Sequence, residues 1–93
     1  MLMRGRQFQE EVVVDPAEIE TMLRASLKEW EIRPSGDGRV SEETAALLIG
    51  YSPLYTRNLR QAGYGPSSVK LRGKVWYRIP DIARWLAANI EPF

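Results

Sequence analysis

A chain of 93 residues and 10.7 kDa is long enough for one small domain, and its core must be compact because so short a chain buries only about two-thirds of its unfolded surface. The absence of Cys and His excludes disulfides, thiolate metal sites, a Ser-His triad and the usual general base, and the remaining carboxylates, lysines and tyrosines form no catalytic grouping. The net charge of +1 hides an asymmetry: residues 1–38 hold five basic and eight acidic residues, net −3, whereas residues 39–93 hold eight basic and four acidic, net +4.

No enzyme activity and no cofactor are expected from this inventory. The composition, 44% hydrophobic and 27% charged, is that of a soluble globular chain, and no apolar run approaches the roughly 20 residues of a membrane span. Met1 to Arg6 carries positive charge without a following apolar stretch, so no signal peptide is expected and the predicted location is the cytoplasm.

In chain order, Val12-Val13-Val14 is β-branched and reads as a short strand, a third strand beside a later hairpin, or an extended packing segment. Asp15-Pro16-Ala17-Glu18 is a helix start, with Asp15 as cap, Pro16 at the first helical position and Glu18 at capping-box spacing. Ile19, Met22, Leu23, Leu27 and Trp30 then fall on one face, which predicts an amphipathic helix over about 16–30. That face either completes the core or, through Met22, Leu23 and Trp30, joins two copies of the chain. Arg33 to Gly38, with Pro34, Gly36 and Gly38, is the clearest linker. The predicted division is therefore an N-terminal extension over 1–38 and a second unit over 39–93.

Ser41 caps a helix of about two turns that ends at Gly50, with Ala45, Leu48 and Ile49 facing inward. Ser52 caps another, with Pro53 at its first position and Gly63 at its end. Two short helices joined only by Gly50-Tyr51-Ser52 must cross steeply, as in a helix-turn-helix. On the second helix Leu59 sets the inward side, with Ala62 and Thr56 beside it, and Leu54, Arg57, Asn58 and Gln61 face outward. Val69-Lys70-Leu71 and Val75-Trp76-Tyr77 flank Arg72-Gly73-Lys74 as a hairpin with Gly73 in the turn. A last helix begins near Pro80-Asp81 and places Ile82, Trp85, Leu86 and Ile90 on one face, with Pro92 beyond it.

The six basic residues from Arg57 to Arg78 are interrupted by no acid, which is the electrostatic footprint of a polyanion binder. Arg pairs bidentately with guanine, and Asn or Gln with adenine, so the outward face of the second helix suits base-edge readout. Ser52 lies at that helix's N-terminal end, where backbone N–H groups can meet a phosphate. Lys70, Arg72 and Lys74 at the hairpin tip, with Arg60 and Arg78, suit backbone contacts that position without specifying. Tyr51 and Tyr55 either reach phosphates or pack. Trp76 and Trp85 are read as core residues rather than stacking platforms.

Residues 40–86 resemble the excisionase-like, MerR-type winged helix-turn-helix domains. The resemblance rests on Ala45-Ala46-x-Leu48-Ile49-Gly50-x-Ser52-Pro53, Arg57-x-Leu59, Gly63-x-Gly65-Pro66, Val69-Lys70-Leu71-x-Gly73-x-x-Trp76-Tyr77-Arg78 and Asp81-Ile82-x-x-Trp85-Leu86. The chain departs from that pattern at Thr44, usually Glu, at Thr56, usually Leu or Ile, and at Leu54, usually basic or polar. The resemblance implies a winged helix-turn-helix with a small β-hairpin wing; with the amphipathic helix over about 16–30, which lies outside the resemblance, the expected fold is mainly α, a winged helix-turn-helix preceded by an extra N-terminal helix. The resemblance also implies binding of double-stranded DNA, with Arg57 and Asn58 in the major groove and Tyr55, Arg72 and Lys74 on the backbone. An excisionase-type recombination factor or a transcriptional regulator is expected, acting as a homodimer or cooperatively on adjacent sites. The alternatives are a protein-interaction module on the same fold, with Leu54 as interface anchor, and the recognition domain of a phage packaging or plasmid-maintenance protein.

Overall fold

The structure is a computed structural model and describes residues 15–91; the expectations for Val12–Val14 and Pro92 lie outside the described residues. Four helices and one three-stranded antiparallel sheet make up these residues: α1 (Pro16–Glu29), β1 (Arg39–Ser41), α2 (Glu42–Ile49), α3 (Pro53–Ala62), β2 (Val69–Leu71), β3 (Lys74–Arg78) and α4 (Ile79–Asn89). No helix among the described residues is long and apolar enough to cross a membrane.

Local chemistry accounts for most of the element ends. The Asp15 carboxylate accepts from the Ala17 N–H at 3.0 Å and Pro16 occupies the first turn, so α1 starts where its sequence predicts. Its other end is a Schellman motif: the Glu31 N–H donates to the Lys28 carbonyl and the Ile32 N–H to the Leu27 carbonyl. The left-handed residue of that motif is Glu31, at φ 60°, where glycine ordinarily stands, and Ile32 packs back on the core. Ser41 caps α2 through the Thr44 N–H, and Ser52 caps α3 through the Tyr55 N–H, both at 3.1 Å. Gly50 closes α2 at φ 95°, a left-handed geometry that lets the chain reverse within three residues. α4 begins at Ile79, slightly before Pro80, with Arg78 flanking it and no side-chain cap.

The sheet has the order β1-β3-β2. β3 is central, pairing Val40 with Tyr77 on one side and Lys70 with Val75 on the other. Apart from Val12–Val14, which lies outside the described residues, the sequence predicts only the β2–β3 hairpin; the third strand among the described residues is Arg39–Ser41, just after the expected linker. Three residues carry no periodicity of their own, and β1 is a strand because β3 offers it a ladder, which continues from the Ile79 N–H to the Gly38 carbonyl. The 35–39 segment folds back to meet it. Ser35 Oγ accepts from the Arg39 N–H at 2.8 Å, and Asp37 takes Ser35 Oγ–H and the Arg39 guanidinium. Those two partners, Ser35 first, hold the Asp37 carboxyl down at about 2.

One core runs through the described residues. Ile19, Leu23 and Leu27 of α1 join Val40, Ala45, Tyr77, Ile79, Ile82 and Ala83, with Leu48, Ile49, Val75 and Leu86 against them. The most extensive packing between elements is α1 on α4. This corrects the expectation that Leu23 belongs to a self-association surface: it is buried inside the monomer, and only Met22 and Trp30 of that group stay exposed. On α3, Thr56 rather than a larger aliphatic residue is buried, its hydroxyl donating to the Ser52 carbonyl at 3.0 Å. Ala62, the last residue of α3 and expected inside, is exposed.

Candidate nucleic-acid interface

The outward side of α3 is held by contacts on its inner side and at its ends. α2 and α3 pack directly on one another. Behind them the indole N–H of Trp85 donates to the Tyr64 carbonyl at 2.8 Å, tying the segment after α3 to α4. Tyr51 packs edge-on against Tyr55, with ring centroids 4.8 Å apart, and against Trp85 at 6.5 Å. Trp85 is thus half-buried and braces the turn between the two helices rather than lying in the core. Tyr55 keeps half of its surface exposed.

On the helix so fixed, Leu54, Tyr55, Arg57, Asn58 and Gln61 are all exposed, as their spacing predicts, and Ser52 is exposed at its start. The hairpin stands beside them. Both central residues of its turn have positive φ, 53° for Arg72 and 82° for Gly73, as a type I′ turn requires. Lys70, Arg72 and Lys74 are exposed around that turn.

Between α3 and the hairpin lies an open groove of about 590 Å³ that brings together Arg57, Arg60 and Gln61 from the helix, Lys70 and Lys74 from the hairpin, and Glu42 and Glu43 from the first turn of α2. Leu54 lies outside it, in a smaller depression with Glu43 and Arg57. Asn58, Tyr55, Ser52, Arg72 and Arg78 do not line the groove. Strand alternation sets Arg78 on the outer face of the sheet with Lys74 and Trp76. Trp76, read from sequence as core, is only partly buried there and is not part of the core cluster, with the Lys74 ammonium 4.7 Å and the Arg39 guanidinium 5.2 Å from its ring centroid.

Arg60 differs from the other cations of the groove. Its Nε and Nη2 donate to the Glu42 carboxylate at 2.7 and 3.3 Å, and the same carboxylate accepts the Tyr77 hydroxyl at 2.7 Å. Tyr77 is fully buried, so one carboxylate ties together α2, α3 and β3. Partial burial pushes the Glu42 carboxyl up, but the hydrogen bonds from Arg60 and Tyr77 and the charges of Arg60 and Arg57 outweigh it and leave it below its ordinary value. Burial, and then the hydrogen bond to Glu42, push the Tyr77 phenol well above the usual tyrosine range. Glu42 was not among the sequence candidates: its partners lie 18 and 35 residues away, and no local pattern announces them.

The lowered Glu42 carboxyl carries a sign. Its stabilising contribution is complete above its unfolded value, near 4.5, and is lost as pH falls through the lower folded value. Asp37 loses its contribution in the same direction, between 3.8 and about 2. Thermal melts across this acid range will therefore show a falling Tm, and the fall will be shallower for Glu42→Gln than for the unaltered chain. An equal slope in both would contradict the role given to Glu42.

Compared with protein families, with curated proteins and with solved structures, the chain matches none.

Proposed function

We propose that the chain is a sequence-specific binder of double-stranded DNA built as a small winged helix-turn-helix, acting as an excisionase-type recombination factor or a transcriptional regulator. The observation that carries this reading is the groove in which the exposed Arg57 and Gln61 of α3 face Lys70 and Lys74 of a basic hairpin. The order of elements supports it: a strand, two helices joined by a three-residue turn, then a hairpin that folds back to pair with the first strand. α3 would enter the major groove, with Arg57 and Asn58 at base edges, while Lys70, Arg72 and Lys74 would run along the backbone beside it.

The turn adds a second support. Arg72 sits at φ 53°, a conformation that costs a residue other than Gly, Asn or Asp roughly 1–2 kcal/mol. The type I′ turn imposes that geometry, and it presents the Arg72 charge at the hairpin tip, where a phosphate contact would offset the cost. A single module of this size buries about 600–1,000 Å² on DNA, which favours binding as a dimer or cooperatively on adjacent sites.

The division of labour is tested by two substitutions. Arg57→Ala relaxes sequence preference at one or two positions, at a cost of about 1–3 kcal/mol on the preferred duplex. Lys74→Ala weakens all duplexes to a similar degree and lowers the slope of log K against log salt by about one. Titrations of both variants against a preferred and a scrambled duplex check this, and identical behaviour of the two would contradict it. Leu54, 65% exposed, favours the second reading, a protein-interaction surface without DNA; in that case neither substitution would alter binding to any duplex.

A further inference from the structure

Of the four cations that line the groove, three have no acidic side chain bound to them among the described residues and one does. Arg57, Lys70 and Lys74 are exposed, whereas the Arg60 guanidinium is engaged by Glu42 through two hydrogen bonds, with both side chains about three-quarters or more covered. The carboxylate is itself anchored, because its oxygen also accepts the hydroxyl of the buried Tyr77, so it cannot swing out of the groove without leaving that hydroxyl unpaired. Arg60 stands one turn beyond Arg57 on the same helix, where a released guanidinium would be in reach of the same polyanion.

From this we infer that Glu42 is a specificity-determining residue: it withholds Arg60 from phosphate and sets a fixed negative charge in the floor of the groove. The inference rests on the DNA-binding reading above. Phosphate contacts add affinity for every sequence alike, so a device that removes one makes binding depend more on the base contacts of α3. Glu43, on the same rim, adds a second negative charge facing the duplex.

The test uses the full chain with two probes, a random-sequence duplex and the duplex it retains best, each titrated over a range of salt. Glu42→Gln keeps an acceptor for Tyr77 and removes the charge. The expected result is tighter binding to the random duplex, a slope of log K against log salt steeper by about one, and a smaller ratio between the two duplexes. Arg60→Gln alone leaves the slope at its starting value, and the double variant returns the Glu42→Gln slope to it. A purely structural role for Glu42 would instead weaken binding to both duplexes in parallel, with no change in slope.

An unchanged slope in Glu42→Gln overturns the inference. So does a slope reduced by about one in Arg60→Gln, which decides the matter even if the Glu42 variant does not fold. Failure of the unaltered chain to retain either duplex at low salt overturns the DNA reading itself, and this inference with it.

Discussion

Leu27→Ala lowers the stability of the whole domain by about 2–5 kcal/mol. Small domains possess only some 5–15 kcal/mol in total, so this one truncation removes a large share of it. Leu27 is 2% exposed and belongs, with Ile19 and Leu23, to the same cluster as Ile79, Ile82 and Ala83 of α4. An alanine there leaves a cavity between the two helices that pack most extensively on one another. The loss therefore spreads beyond α1: hydrogen-exchange protection of the α4 amides falls together with that of α1, and a single urea transition moves to lower concentration. If α1 lost protection while α4 kept it, the single core described here would be contradicted.

The second large effect is on binding. Replacing the three hairpin cations together, Lys70→Gln, Arg72→Asn and Lys74→Gln, removes three proposed phosphate contacts and lowers the salt slope by roughly three. Binding to random duplex at moderate salt then falls below detection. The fold survives this change. Asparagine accepts the left-handed turn position more readily than the arginine now at φ 53°, which offsets the cation–π contact of Lys74 on Trp76, worth about 0.5–1 kcal/mol at an exposed site. Duplex titration beside a thermal melt checks both halves. An undiminished slope would remove the hairpin from the interface, and a lowered Tm would assign its cations to stability.

The element boundaries were legible because their causes are local. Asp15 with Pro16, Ser41, Ser52 with Pro53, Gly50, Gly63 and Gly73 each act within a few residues, and the structure uses every one of them as its chemistry dictates. The outward set on α3 followed from helical periodicity in the same way. What failed was non-local. Arg39–Ser41 is a strand only because β3 lies beside it, and the left-handed residue that follows α1 is Glu31, which has no preference for the geometry it adopts. Trp76 was placed in the core on its apolar character, but strand alternation with the buried Tyr77 turns it to the outer face.

The candidate site divides along the same line. Arg57, Gln61, Lys70 and Lys74 could be chosen from charge and spacing, and the fold brings those four to one groove. Arg60 carries the same charge as Arg57 on the same helix, and the sequence suggests for it a backbone contact like that of Arg78. Its engagement with Glu42 depends on the packing of three elements, and only the assembled fold displays it.

The most direct test of the central claim is a titration of the full chain against a pool of random-sequence duplexes at two salt concentrations, with sequencing of the retained DNA. The account predicts retention that falls steeply as salt rises, together with enrichment of a short motif. No retention at low salt would contradict it, and would transfer the exposed Leu54 and its surroundings to a protein partner.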